Sequence, residues 1–244
     1  MAAGLSLGEY TALCFAGVFS FEDGLKLVAL RGQAMQAAAD ARPSAMAAVI
    51  GLSSDEVTRL CEAASAEAPP EEPVRIANYL CPGNYAVSGG LTAVAALEKI
   101  AKPQFKARMT VRLAVAGAFH TDFMAAAVAP LAAALEATPM SKPRLPVLSN
   151  VDAMPHSDVA VIRALLARQV TQPVQWEATL NTLLARGMEE AVEVGPGKVI
   201  AGELGYSTAL RDVFLLGLMC ESHHRHHEAY FKGRQDDEHR GMNS

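Results

Sequence analysis

The spacing of hydrophobic and polar positions changes several times along the chain, and each change marks a predicted element. A helical period follows Ser6 in LGEYTALCFAGVF and returns in LKLVALRGQAMQAAADA. Ser20 is a suitable N-cap for the second run, because Glu22 and Asp23 place two acids in its first turn. Residues 1–43 therefore predict two helices.

Residues 44–116 have a different pattern, in which short strand-like runs enclose two helical runs. The strand-like runs are AMAAVIG, VRIANY, YAVSGG and FKARMTVRLAV, and the last alternates from Phe105 to Val115. The order β-α-β-β-α-β is typical of the ferredoxin-like arrangement. We therefore predict a small ferredoxin-like subdomain over residues 44–116.

Residues 117–204 alternate between helical and strand-like runs. The helical runs are TDFMAAAVAPLAAALEAT, VAVIRALLARQV and WEATLNTLLARG; LPVLSNV and EEAVEVG are strand-like, and GPGKVIAGE is a turn into a helix. Strands that alternate with helices predict an α/β fold with a mainly parallel sheet. We expect residues 1–43 and 117–204 to form one core that carries residues 44–116 as an insert.

Residues 205–244 lose this rhythm and predict a divergent, disordered tail. The tail contains the histidines His223, His224, His226 and His227. They could bind a metal, but no cysteine or carboxylate stands in clear ligand spacing. A solvated tail is the favoured interpretation, and no metal site is predicted.

Composition is that of a globular protein, since 51% of the 244 residues are hydrophobic and 19% are charged. The net charge of -5 argues against nucleic acid as a partner. No apolar run is long enough to span a membrane, so no membrane partner is expected. The four cysteines have no C-x-x-C spacing, which is typical of reduced thiols inside a cell. No stretch is typical of a signal peptide or a transit segment.

The stretch GLSLG fits the pattern G-x-S-x-G, which places a serine on a tight turn between a strand and a helix. On such a turn the Ser6 hydroxyl would point into a cleft. The backbone N–H of Leu7 would open the following helix and could face an oxyanion. The pattern also arises by chance in Gly- and Ala-rich sequences, so on its own it leaves catalysis open.

Two further residues are candidates for the same chemistry. His120 ends GAFH and precedes a helix, a position at the carboxyl end of a strand where α/β sheets gather ligands. It could be the base that a serine needs, or a capping or core histidine. Arg31 has the apolar neighbours Leu27, Val28, Ala34 and Met35 one turn away on its helix. Its guanidinium either reaches out to solvent, which the helix alone slightly favours, or pairs with an anion inside.

Eight segments occur together between residues 2 and 203, namely GLSLGEY, RGQAMQ, AMAAVIGL, CPGNYAVSGG, GAFH, SNVDA, QPVQW and EVGPGKV. In this order they resemble the malonyl-CoA:acyl-carrier-protein transacylases of fatty acid biosynthesis. The resemblance implies an α/β-hydrolase-like core with a ferredoxin-like insert, in agreement with the predicted elements. It implies malonyl transfer from malonyl-CoA to the phosphopantetheine thiol of acyl carrier protein, with a coenzyme A thioester as substrate and no bound cofactor.

The same resemblance assigns the reacting groups. Ser6 is the nucleophile, and His120 is the general base and then the acid. The backbone carbonyl of Gln175 orients the histidine, so that no carboxylate is needed. Leu7 supplies an oxyanion N–H.

The resemblance also assigns residues to the acyl group. Arg31 binds the free carboxylate of malonate, while Met35 and Asn78 line the pocket. Phe119 occupies the volume that a methyl branch would need.

Three departures from the family pattern carry further expectations. Leu5 stands where bacterial members have histidine. Leucine at this position resembles the plastid forms of plants and algae. It implies a location in the plastid stroma, with the mitochondrion or the cytoplasm as alternatives. Family members carry a strand and a G-Q-G-x-Q motif before the serine turn, so a chain truncated at its N-terminus is expected. The tail after Leu204 is expected to leave the family pattern.

Two other functions stay open from the sequence. A serine esterase or thioesterase could use the same turn, although no acid stands out between Ser6 and His120. An inactive, truncated remnant that binds a partner is the other alternative.

Overall fold

The structure, a computed structural model, describes residues 1–195 and the backbone of residues 212–216. It divides into two compact units, Met1–Gly187 and Met188–Ser244. None of the described helices combines the length and the apolar character that crossing a membrane requires. All residues that the sequence assigns to chemistry lie in the first unit.

Two helices of the first unit begin at serine caps, and the cap at Ser20 agrees with the prediction. The Ser20 hydroxyl accepts a hydrogen bond from the backbone N–H of Asp23. Ser53 and Glu56 form a capping box, which satisfies N–H groups that a helix start leaves without partners. The helices are α1 (Leu7–Phe15), α2 (Phe21–Ala41), α3 (Ser54–Ala66), α4 (Leu91–Ala101), α5 (Ala125–Ala137), which follows a 3-10 turn at Asp122–Met124, α6 (Val159–Gln169) and α7 (Trp176–Ala185).

The strands of the first unit form one five-stranded sheet. They are β1 (Ser44–Ile50), β2 (Val74–Cys81), β3 (Asn84–Gly90), β4 (Met109–Arg112) and β5 (Val174–Gln175). Their spatial order is β4-β1-β3-β2-β5, in which only the β2–β5 pair is parallel. In the second unit, β6 (Glu190–Val194) pairs in parallel with β7 (Asp212–Leu216). The predicted α/β class is confirmed.

The elements from β1 to β4 follow the predicted order β-α-β-β-α-β. Side chains of α3 and α4 pack with one face of the sheet in a shared core that includes Val49, Leu60 and Leu97. The alternating run from Phe105 to Val115 forms a strand only over β4, where Met109 is 47% and Val111 is 42% exposed. β4 is an edge strand of only four residues, so its apolar side chains have few neighbours.

A second core joins α1, α2, α5 and α6 and includes Tyr10, Leu27, Leu131 and Leu166. Among its segments LPVLSNV is predicted as a strand but forms only isolated bridges, from Val147 to Ala2 in parallel and from Leu148 to Pro155. A ladder needs consecutive partners, and each of these bridges pairs one residue only. The boundaries of the core and the insert stay predictions.

The tail prediction is wrong in one stretch, because β7 lies within residues 205–244. Its apolar run VFLL gains backbone partners from β6, which the local sequence does not reveal. The predicted turn and helix in GPGKVIAGE beyond Gly195, and the four tail histidines, lie outside the described residues.

Candidate active site

The turn that carries Ser6 has an unusual backbone conformation and brings Gly4 close to Gly8. Ser6 has a positive φ of 52°, and α1 begins at the next residue. A Cβ on Gly4 would lie 2.1 Å from the carbonyl carbon of Gly8, so glycine is required where the turn meets the helix. Asn150 holds both sides of the turn: its Oδ1 accepts from the Ser6 N–H at 2.6 Å, and its Nδ2 donates to the Gly4 carbonyl at 2.8 Å.

Ser6 and His120 are in direct contact, with 2.9 Å between Oγ and Nε2. The other ring nitrogen, Nδ1, lies 2.8 Å from the backbone carbonyl of Gln169. Because a carbonyl only accepts, Nδ1 carries the proton and Nε2 is free to accept from the serine hydroxyl. This arrangement is that of a serine activated by a histidine base.

The assignment of Gln175 as the orienting residue is therefore wrong. Gln175 lies six residues further along the same segment, where its N–H donates to the Asn150 carbonyl and its carbonyl accepts from Thr179. Gln169 is the last residue of α6, and a helix leaves its final carbonyls without intrahelical partners. One of these carbonyls is available to His120.

The electrostatics of His120 suit a base. The side chain is buried, and burial, reinforced by the charge of Arg31, lowers its pKa to about 4. The bond to the Gln169 carbonyl opposes this shift without cancelling it. The imidazole is therefore neutral at neutral pH.

Arg31 is buried, with 5% exposure, so the slight preference for a solvent-directed guanidinium is wrong. Its Nη2 donates to Ser6 Oγ at 2.9 Å and to Gln169 Oε1 at 3.2 Å, and the guanidinium lies 5.5 Å from the centre of the Tyr10 ring. Burial lowers the pKa of Arg31. Its Nε is buried without a hydrogen-bond partner among the described residues. A guanidinium with unused donors beside a nucleophile can bind an anionic group of a substrate.

The other residues predicted for the site are Leu7, Met35, Phe119 and Asn78. Leu7 is the first residue of α1, so its N–H has no intrahelical partner. Met35 is buried one turn after Arg31, and Phe119 packs against both the helical core and the cluster Met46, Ala77 and Ala86. Asn78 is buried in β2, and within the described part of the chain its Oδ1 has no hydrogen-bond partner.

Three polar residues of the site escaped the sequence-based prediction. Asn150 lies in the SNVDA segment, and Gln169 ends an otherwise ordinary helical run. Glu9 follows Ser6 by three residues and is buried with 3% exposure. A carboxylate one turn from a predicted nucleophile, followed by an apolar run, is the signal that could have indicated it. No cluster of residues suited to a metal ion occurs among the described residues.

The comparison with known proteins places this geometry in a family. A family model of the acyl transferase domain matches residues 1–239. The chain is 39% identical over 211 residues to the mitochondrial malonyl-CoA-acyl carrier protein transacylase of Homo sapiens, covering 83% of this chain and 54% of that protein. The chain thus spans about half the length of this curated relative.

Solved structures give the same result. A malonyl-CoA:acyl carrier protein transacylase from Xanthomonas oryzae pv. oryzae superposes with a TM-score of 0.83 at 37% identity, covering 96% of this chain and 70% of that chain. A malonyl-transacylase in complex with a type II PKS acyl-carrier protein has a TM-score of 0.80 at 32% identity, covering 88% and 68%.

The family match also corrects the expectation for the tail, because it extends to residue 239 and not only to Leu204. A match over nearly the whole chain, together with the shared fold, leads to one conclusion: the chain belongs to the acyl transferase domain family, among the malonyl-CoA:acyl carrier protein transacylases.

Proposed function

We propose that the chain is an S-malonyltransferase, which moves a malonyl group from malonyl-CoA to the phosphopantetheine thiol of acyl carrier protein through an ester on Ser6. The observation that carries the proposal is the position of the Ser6 hydroxyl, 2.9 Å from the His120 base on one side and 2.9 Å from the Arg31 guanidinium on the other. The relatives, which are named malonyl-CoA-acyl carrier protein transacylases, support the same substrates.

In the first half of the reaction, Ser6 Oγ attacks the thioester carbonyl and His120 Nε2 takes its proton. The tetrahedral oxyanion forms near the start of α1, where the Leu7 N–H can stabilise it. Collapse breaks the carbon–sulfur bond, and the coenzyme A thiolate leaves with the proton from His120. The product of this half is malonyl-Ser6.

The second half reverses the roles. The phosphopantetheine thiol gives its proton to His120, and the thiolate attacks the ester carbonyl. Collapse then releases Ser6 Oγ, which takes the proton back. No metal or bound cofactor enters either half, and Gln169 rather than a carboxylate orients the base.

Arg31 sets the acyl specificity in this proposal. A buried guanidinium fork matches a carboxylate with two hydrogen bonds, and leaving the charge unpaired beside an uncharged acyl group is costly. Met35 is one helical turn away, and Phe119 limits the space for a methyl branch. Asn78 is a further candidate for the acyl pocket, because its buried Oδ1 has no hydrogen-bond partner among the residues that the structure describes.

Intact-mass measurement tests the proposal directly. The full chain incubated with malonyl-CoA should gain the mass of one malonyl group, Ser6→Ala should gain none, and the exposed-serine control Ser157→Ala should behave as wild type. His120→Ala should slow acylation by roughly 10²–10⁴. Added phosphopantetheinylated carrier protein should then receive the malonyl group. Release of malonate to water without transfer would indicate the esterase alternative, and no acylation of wild type would indicate the inactive remnant.

We also propose a plastid location for the protein, which Leu5 supports through its resemblance to plastid forms. The relatives include mitochondrial and bacterial forms. A fluorescent fusion of the complete reading frame, followed by organelle fractionation, tests this. Signal in mitochondria or cytoplasm would contradict it.

A further inference from the structure

Glu9 is a buried carboxylate that the proposed reaction does not use. It lies in α1, three residues after the nucleophile, with 3% exposure. Its Oε2 accepts two hydrogen bonds, from the Asn150 N–H at 3.0 Å and from Gln169 Nε2 at 2.7 Å. A charged side chain in such a place needs an explanation, because burying it costs free energy.

The two donors to Glu9 are the residues that hold the reacting groups. Asn150 binds the backbone on both sides of Ser6, as described above. Gln169 donates from Nε2 to the Ser6 carbonyl at 3.0 Å and accepts from Arg31 at Oε1. Its own carbonyl binds His120. One carboxylate therefore contacts both residues that fix the nucleophile, the base and the arginine.

We propose that Glu9 is a positioning residue, whose carboxylate fixes Gln169 and Asn150 and thereby the mutual geometry of Ser6, His120 and Arg31. This inference rests on the proposed function. Gln169 lies between Arg31 and Glu9, since its amide accepts from Arg31 and donates to Glu9. Among the described residues Arg31 has no ion pair with a carboxylate. The interposed amide orients Arg31 while leaving its charge for a substrate carboxylate.

The energetics of Glu9 favour function over stability. Burial raises its pKa to about 7, although both hydrogen bonds act in the opposite direction. Glu9 is thus less stable in its ionised form in the fold than in water. A residue that only filled this space would avoid that cost by being apolar.

Two substitutions of Glu9 by side chains of similar length distinguish a positioning role from a space-filling role. Glu9→Gln keeps an oxygen that can accept both hydrogen bonds, and Glu9→Met removes the acceptor. Each is compared with wild type and with Val18→Ala, a core control that removes apolar volume away from the reacting groups. Thermal melting shows whether the Met variant is folded and whether its stability is matched by the control.

The readouts are Ser6 acylation by malonyl-CoA and Ser6 labelling by an uncharged fluorophosphonate, both measured by mass. Glu9→Met should slow both by roughly 10- to 100-fold, because small displacements of reacting groups have effects of this size. Glu9→Gln should restore both rates to within about threefold of wild type at neutral pH, since it replaces one acceptor by another. Val18→Ala should react as wild type does.

Each contrary result has one meaning. A Met variant as fast as wild type, or a Gln variant as slow as the Met variant, overturns the role of Glu9. If wild type reacts with the fluorophosphonate but not with malonyl-CoA, the proposed function fails, and the labelling rates alone decide the role of Glu9. A wild type that reacts with neither reagent overturns both proposals.

Discussion

His120 is fixed as a neutral base by its surroundings. Its backbone has a positive φ of 61°, and its N–H donates to the Val170 carbonyl. Its Nδ1 proton is held by the Gln169 carbonyl, and burial keeps the ring from gaining a second proton. We therefore expect His120 to remain able to activate Ser6 in mildly acidic solution.

We predict that the acylation of Ser6 remains fast as the pH falls below 6.5 and declines only near pH 4. The sign follows from the pKa of about 4, since a base works only while unprotonated, that is above its pKa. Rapid-quench rates with malonyl-CoA between neutral pH and the acid limit of the folded state measure this. A midpoint near the ordinary histidine value of about 6.5 would show that the ring is solvated.

The sequence predicts the reacting side chains of this site but not their supports. Ser6, His120 and Arg31 carry chemistry in their side chains and lie in recognisable segments. Gln169 binds the histidine through its backbone, and a backbone carbonyl has no signature in a sequence. The burial of Arg31 was missed because its helix neighbours do not reveal which groups face it from α6.

At the scale of elements, β2 is tied to the segments that carry His120 and Gln169. Arg75 of β2 donates from Nη2 to the Thr171 carbonyl at 2.7 Å and to the His120 carbonyl at 3.4 Å. It also lies 3.8 Å from a carboxylate oxygen of Asp122. One strand residue thus connects the sheet to two loops of the site.

We predict that Arg75→Met slows the acylation of Ser6 by about tenfold, the equivalent of one lost hydrogen bond of about 1.4 kcal/mol. The matched control is Arg112→Met. Arg112 lies on β4 of the same sheet and pairs with Glu98 of α4. Single-turnover acylation by malonyl-CoA measures both. Equal rates for the two variants would show that the link from β2 does not position His120.

The predicted elements succeed where their signals are local. Ser20 marks a helix start because a cap is formed within one turn. LPVLSNV and β7 were misassigned because a strand exists only through its partner, and the sequence of a segment does not reveal its partners, which are Ala2 for Val147 and β6 for β7.

At the scale of the whole molecule, the site depends on the complete fold of the first unit. Ser6 and His120 are 114 positions apart in the chain, and Arg31 and Gln169 are 138 apart. Ser6 directly precedes α1, Arg31 lies in α2, His120 follows β4 in sequence, and Gln169 ends α6. The proposed substrate choice would therefore depend on this assembly, which places the buried Arg31 next to Ser6 and Gln169.

The central claim is that Arg31 selects an acyl group with a free carboxylate, and kcat/KM for malonyl-CoA and acetyl-CoA tests it most directly. Arg31→Ala should lower the malonyl value by roughly 10- to 100-fold, the size of a charged hydrogen bond, while raising the acetyl value relative to it. Arg31→Lys should recover little, because a point charge does not reproduce the fork. Lys26→Ala, which removes an exposed positive charge from the same helix, should change neither value. If Arg31→Ala lowers both substrates equally, Arg31 supports the structure of the site and does not bind the substrate carboxylate.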